Sequence, residues 1–255
     1  MAWVRYRPAK YSQRTWGAAA TPFGGTTRLY GGDARIISRM ISWNRVDTVL
    51  LDMDGTLLDL HYDNHFWHEH VPQRYAEKHQ VTLQAAKGEL SARYRRAEGT
   101  LDWYCVDYWT RELGLDIPRL KQEIEHMIML RPHVVEFLGA VRALQKRLLL
   151  VTNAHGKALA LKLARTRLDQ HFDGVVCAHE LGLPKEDVGF WDRMQRVQPF
   201  KSRSSILIDD SLPVLRSAQR YGIGQLLAVT QPDSQLPARQ ITEFPAIAYL
   251  NEVMP

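Results

Sequence analysis

The stretch Val49-Leu50-Leu51-Asp52-Met53-Asp54-Gly55-Thr56-Leu57 decides the fold. An apolar run stops abruptly at two carboxylates, and Gly-Thr follows. Val46 to Leu51 reads as a strand buried on both faces, as in a parallel sheet. Asp52 and Asp54 then fall at its carboxyl end, the edge where open α/β sheets bind ligands. Two acids one residue apart point the same way on extended chain, which suits a hard cation. Taken alone, the stretch also fits a strand that merely ends in a polar turn, so the rest of the chain must decide.

Downstream, strands and helices alternate from residue 131. Pro132 suits the first turn of a helix marked by Val134, Val135, Leu138, Val141 and Leu144. Leu148 to Val151 is a strand ending in Thr152-Asn153-Ala154-His155, and a helix runs from Lys157 to about Leu168. Gly174 to Cys177 is a short strand, followed by Gly182-Leu183-Pro184-Lys185 and a helix to about Val197. Ser205 to Ile208 is a strand ending in Asp209-Asp210-Ser211. A helix over 212–221 closes at Gly222, and Leu226 to Val229 is the last strand. This alternation implies a doubly wound parallel sheet in the α/β class. Four strand ends therefore carry polar residues along one edge: Asp52 and Asp54, Thr152 and Asn153, Lys185, and Asp209 and Asp210. Thr152 and Asn153, or the Asp209-Asp210 pair, also read as helix caps, and His155 as either a substrate contact or a helix start.

About 70 residues of helical, aromatic-rich sequence separate the first two strands. They are expected to form an inserted all-helical cap over 61–130, with 40–60 and 131–255 forming the core. Helices are predicted over 63–79, kinked near Val71 by Pro72, over 83–97 behind a Thr82 cap, over 101–113 and over 118–129. On a single 101–113 helix, Tyr104 and Tyr108 share one face, and Trp103 and Asp107 a neighbouring one. Those aromatics can stack on a purine and Asp107 can accept from guanine; equally, Trp103 and Trp109 can be cap core.

Residues 1–45 carry eight Lys/Arg against the single acid Asp33, so the net +5 divides into +7 there and −2 in the remainder. The basicity belongs to an extension over 1–39, and the body is not expected to bind nucleic acid. That extension reads as disordered, as an Arg-rich organellar transit segment, or as preceding a true start at Met40. No apolar run reaches the ~20 residues of a membrane span. Two cysteines, Cys105 and Cys177, without a CxxC, point to a reducing, cytoplasmic setting and to buried thiols.

These motifs together resemble the haloacid dehalogenase (HAD) superfamily. Asp52-Met53-Asp54-Gly55-Thr56 is similar to its first motif, Thr152 to its second, Lys185 to its third and Asp209-Asp210-Ser211 to its fourth, over residues 46–230. Four blocks resemble, more narrowly, the bacterial GMP/IMP nucleotidases of that superfamily: Val46 to Leu60, Asp102 to Trp109, Thr152 to His155, and Pro184-Lys185-Glu186-Asp187. The resemblance implies a HAD-like Rossmannoid core and a Mg²⁺-dependent phosphomonoesterase. Asp52 is then the nucleophile and forms an aspartyl-phosphate; Asp54 is the general acid and then the base. Thr56, Thr152, Asn153 and Lys185 hold the phosphoryl oxygens. Mg²⁺ sits among Asp52, the Asp54 carbonyl, Asp209 and Asp210, with Asp210 as a direct ligand. The expected substrate is a purine 5′-nucleotide, with a sugar phosphate as the alternative and a non-catalytic phosphate-binding role as the alternative of another class. Asp54 argues against a dehalogenase, because on this resemblance dehalogenases lack the second acid of the first motif.

Overall fold

The computed structural model describes residues 41–255, so the expectations for 1–39 and for a start at Met40 lie outside the described residues. Among the described residues six strands form one parallel sheet: β1 (Thr48–Leu51), β2 (Arg147–Thr152), β3 (Gly174–Cys177), β4 (Ser205–Asp209), β5 (Gln225–Val229) and β6 (Ala246–Ile247). Their order is β3-β2-β1-β4-β5-β6, and each neighbouring pair is parallel. The first strand begins at Thr48 rather than Val46. The edge strand β6 was not anticipated, since two residues are too short to show a periodicity.

The parallel sheet agrees with the doubly wound expectation, and side-chain alternation in its strands feeds a core on each face. Leu50, Leu149, Val151 and Leu207 pack on one face with Phe190, Trp191 and Met194. Val49, Leu51, Leu150 and Ile208 pack on the other, in a core that continues into the helices after β1. Leu51 pairs with Leu150 on one side and Ile208 on the other. The chain runs outward from β1 through β2 to β3, then returns to β1's other side at β4. Asp52 therefore lies at the topological switch point, where the crevice of an open sheet opens.

Between β1 and β2 lie α1 (His61–His65), a wide π-helical turn (Phe66–His70), α2 (Val71–His79), α3 (Leu83–Ala97), α4 (Leu101–Tyr104), α5 (Val106–Leu113) and α6 (Ile117–Glu123). Pro72 lies in the first turn of α2, directly after the π turn. The π turn just before it absorbs the missing donor and the ring's clash with the preceding turn. Thr82 caps α3 as expected, its hydroxyl accepting from Ala85 N–H. The single helix expected over 101–113 is two. Cys105 is extended (φ −86°, ψ 107°), and its sulfur accepts from Tyr108 N–H at the start of α5. Tyr104 and Tyr108 therefore do not share a helical face, nor do Trp103 and Asp107. Cys105 is only half-buried and acts as a cap, whereas Cys177 is buried as expected.

Trp67, Tyr94, Trp103, Tyr108 and Trp109 meet in tilted and edge-to-face contacts, the arrangement favoured by ring quadrupoles. Trp109 is buried at their centre and donates Nε1–H to the Trp103 carbonyl at 2.9 Å. The two chain crossings beside β1 are laced together: Leu58 bridges Leu130, and Arg131 N–H donates to Leu57 O. The buried Arg131 guanidinium also donates to the carbonyls of Gly55, Thr56, Gln231 and Ala248.

After Arg131 the chain enters α7 (Val134–Ala143), preceded by His133 at φ 65°, so Pro132 lies just outside the helix. The remaining helices are α8 (Gly156–Thr166), α9 (Ala178–Leu181), α10 (Val188–Val197) and α11 (Leu212–Tyr221), the last closed by Gly222 at φ 96°. Among the described residues no helix is long and apolar enough to cross a membrane.

Candidate active site

The ends of β1, β2 and β4 converge on a cavity of about 290 Å³ that also reaches the helices after β1. That volume admits a small molecule rather than a macromolecular segment. Asp52, Asp54, Thr152, Asn153, Lys185, Asp209 and Asp210 all line it. Strand register explains the proximity: Asp52 N–H bonds Ile208 O at 3.1 Å, which sets Asp52 beside Asp209.

Lys185 is buried and holds two of the acids. Its ammonium donates to Asp52 Oδ1 at 2.5 Å, to Asp209 Oδ2 at 2.7 Å and to Val151 O at 3.1 Å. The other oxygen of Asp209 accepts from Ser211 N–H. Asp210 is less engaged: Arg239 stands 3.6 Å from its carboxylate. Gly55 (φ 89°) makes room for it, since a Cβ there would come within 2.8 Å of Asp210 Cγ. Asp52, Asp209 and Asp210 can each offer an oxygen, all within 4.8 Å of one another. Such an all-oxygen, carboxylate-rich donor set fits Mg²⁺. Burial pushes Asp52 up to about 7 against the pull of Lys185, and raises Asp210 well above the ordinary carboxylate value with Asp209 and Asp52 adding to the effect. These are carboxylates gathered against their mutual repulsion, as a cation site requires.

Asp54 is held by a different lysine. Lys162, buried within α8, donates to Asp54 Oδ1 at 2.7 Å and to Asp63 Oδ2 at 2.6 Å. Asp63 lies on α1, and its second oxygen accepts from Lys121 of α6 at 2.9 Å. Burial raises Asp54 to about 6 even beside Lys162. Burial also works against the Asp63 carboxylate, yet the two ammoniums overcome it and hold Asp63 well below the ordinary range. Lys162, Asp63 and Lys121 escaped the sequence reading, although a trace of them was there. Lys162 falls three residues after Leu159 and one before Leu163, on the apolar seam of its helix. Lys121 occupies the corresponding seam position between Ile117 and Ile124. A lysine in such a register is either snorkelling or paired.

The other expected residues divide. The Thr152 hydroxyl accepts from Ala154 N–H and keeps its own proton to donate. Asn153 accepts from Lys185 N–H and donates to Glu186 at 2.9 Å, so its amide shapes the Lys185 loop and retains one hydrogen for a ligand. Thr56 is fully buried and does not line the cavity, and its hydroxyl has no partner among the described residues. Of the two donors expected of Thr56, backbone or hydroxyl, the hydroxyl is not directed at this cavity; the Thr56 carbonyl accepts from Arg131. His155 caps α8 by accepting from Lys157 N–H, and also lines the cavity 3.7 Å from Asp107. Tyr104 donates to Glu186 at 2.6 Å, and Lys157 pairs with Asp107 at 2.7 Å, so the helices after β1 are fastened across the cavity mouth.

Residues 46–190 match the family model of the haloacid dehalogenase-like hydrolases. The chain belongs to this family of hydrolases. It is 41% identical over 215 residues to the GMP/IMP nucleotidase YrfG of Escherichia coli (strain K12), covering 84% of this chain and 97% of that protein. A Shigella flexneri protein of the same name matches equally. The fold is shared with a HAD phosphatase from Thermococcus onnurineus (TM-score 0.68, 20% identity, 82% of this chain and 96% of that one). It is shared too with the L-2-haloacid dehalogenase of Xanthobacter autotrophicus (TM-score 0.54, 14% identity, 82% and 96%).

Proposed function

We propose that this hydrolase is a Mg²⁺-dependent phosphomonoesterase that cleaves purine 5′-mononucleotides, GMP and IMP foremost. One observation carries the reaction: Asp52 and Asp54, two residues apart on one strand end, are bound by different buried lysines and so are fitted for different roles. The identity with a GMP/IMP nucleotidase along nearly all of that protein's length supports the substrate.

Asp52 attacks phosphorus through a carboxylate oxygen, the ester P–O bond breaks, and the leaving nucleoside oxygen takes the proton carried by Asp54. Water then attacks the aspartyl-phosphate, Asp54 takes its proton, and Asp52 is released as carboxylate with inorganic phosphate. Lys185 neutralises charge on Asp52 and the phosphoryl group. The Thr152 hydroxyl and the remaining Asn153 amide hydrogen donate to phosphoryl oxygens. Asp52, Asp210 and the Asp54 carbonyl would hold Mg²⁺, with Asp209 as ligand or as Lys185's partner. When bound, the ion neutralises phosphoryl charge and favours the ionised carboxylates.

The helices over 61–130 act in this reading as a cap that excludes water and reads the leaving group. Trp67, Trp103 and Tyr104 line its side of the cavity, in keeping with a planar purine. Cys105 and Cys177 are free thiols, which fits a cytoplasmic setting. The test is phosphate release from a panel of nucleotides and sugar phosphates, with Mg²⁺ or EDTA. GMP and IMP should lead the panel, and only with Mg²⁺. Preferential cleavage of a sugar phosphate would overturn the substrate assignment.

A further inference from the structure

Lys162 is buried, lies ten residues beyond Thr152 in the middle of α8, and pairs with Asp54 and Asp63 rather than with Asp52, Asp209 or Asp210. Its ammonium sits between Asp54 of the sheet edge and Asp63 of α1, with Lys121 of α6 closing the row on the far side of Asp63. Carboxylate and ammonium alternate along the four groups; the two lysines are buried, the two aspartates partly exposed, and each lysine has an acid beside it. Breaking such a row by removing one member leaves buried charge unpaired.

The geometry matters for what Asp54 must do. A general acid works only if its proton lies within hydrogen-bond reach of the leaving oxygen. Lys162 donates to Oδ1 of Asp54, which leaves Oδ2 outside that contact, and Asp54 lines the cavity in which the leaving group would lie. Lys162 thus anchors one carboxylate oxygen of Asp54 and leaves the other to face the leaving group. Lys162 is in turn aimed by Asp63, which belongs to the helices after β1. Its ammonium lies over the Tyr62 ring, 5.5 Å from the ring centre.

We propose that Lys162 is a positioning residue for the proton transfer by Asp54, set in place by Asp63 when α1 is docked on the sheet edge. This rests on the phosphomonoesterase reading given above. It makes proton delivery depend on a contact between core and cap, so that a substrate admitted without the cap seated is not efficiently cleaved.

The experiment compares two leaving groups in one protein preparation. A nucleoside 5′-oxygen leaves poorly without a proton, whereas p-nitrophenolate leaves without one. The ratio of kcat/KM for GMP to that for p-nitrophenyl phosphate reports proton delivery during transfer to Asp52. It does not depend on how much of the sample is folded. Lys162→Met should lower this ratio by about 10²-fold, the size of a general-acid contribution. Asp63→Asn should lower it in the same direction by a smaller factor, and it decides the matter if Lys162→Met yields no soluble protein. Equal losses on both substrates, leaving the ratio unchanged, would overturn the proposal and reduce Lys162 to a structural ion pair. A wild-type protein inert towards both substrates would instead refute the phosphomonoesterase reading itself, an outcome read before any variant is made.

Discussion

Two buried lysines each clasp two carboxylates in this molecule, and they do so in different places. Lys185 joins Asp52 to Asp209, both on adjacent strands of the sheet edge. Lys162 joins Asp54 to Asp63, one on the sheet edge and the other on α1. The first cluster is fixed by strand register and is complete within the core. In the second, Lys162 and Asp54 both belong to the core, and only Asp63 and Lys121 come from the helices after β1. The same device therefore holds Asp52, the proposed nucleophile, within the sheet edge, and Asp54, the proposed proton carrier, between the sheet edge and α1. The chain separates the two acids of its first motif not by their own sequence but by which lysine reaches each.

The largest effect that distinguishes the clusters is expected at Lys185. Lys185→Met leaves two buried carboxylates unpaired, and removing one member of a buried pair costs about 3–5 kcal/mol. In EDTA, where ion binding does not add stability by mass action, Tm should fall by about 10 °C. Activity should fall equally on GMP and on p-nitrophenyl phosphate, because nucleophile and phosphate contacts are lost together. A leaving-group-dependent loss at Lys185 would erase the contrast with Lys162. The Lys162 effect comes next: its carboxylate partners are partly exposed, so the loss of stability should be smaller while the leaving-group dependence is larger. The smallest effect is expected at Tyr104, whose hydroxyl bonds Glu186 across the cavity mouth at 2.6 Å. Tyr104→Phe should cost about 1 kcal/mol in thermal or urea unfolding and leave the ratio of the two substrates unchanged. A shift in that ratio would show that the core–cap fastening as a whole, rather than Lys162, governs proton delivery.

Much of this was legible in the sequence. The strand ends were, because a buried parallel strand is a short apolar run and the polar residues that stop it stand out. Asp52, Thr152 and Asp209 follow that rule, whereas Lys185 stands in the loop beyond α9. Lys162 and Lys121 were not, because a lysine amid leucines on a helix looks like the charged face of an amphipathic stretch until its register is counted. The break at Cys105 was hidden because cysteine is neither a breaker nor a common cap, so a 13-residue helix was the natural reading. The same break moved Tyr104 and Asp107 from neighbouring faces of one helix to separate core contacts, with Glu186 and Lys157. At Pro72 the sequence showed where the irregularity lies, but its form, a π turn, depends on the packing of Phe66 and Val71 in the core.

Asp52→Asn removes the carboxylate proposed to attack the phosphoryl group. Removing a covalent nucleophile lowers turnover by about 10⁴-fold or more. The variant should therefore release no measurable phosphate from GMP under conditions in which the wild type turns over, while calorimetry still detects GMP binding in the presence of Mg²⁺. Phosphate release by Asp52→Asn at a rate close to wild type would contradict the account.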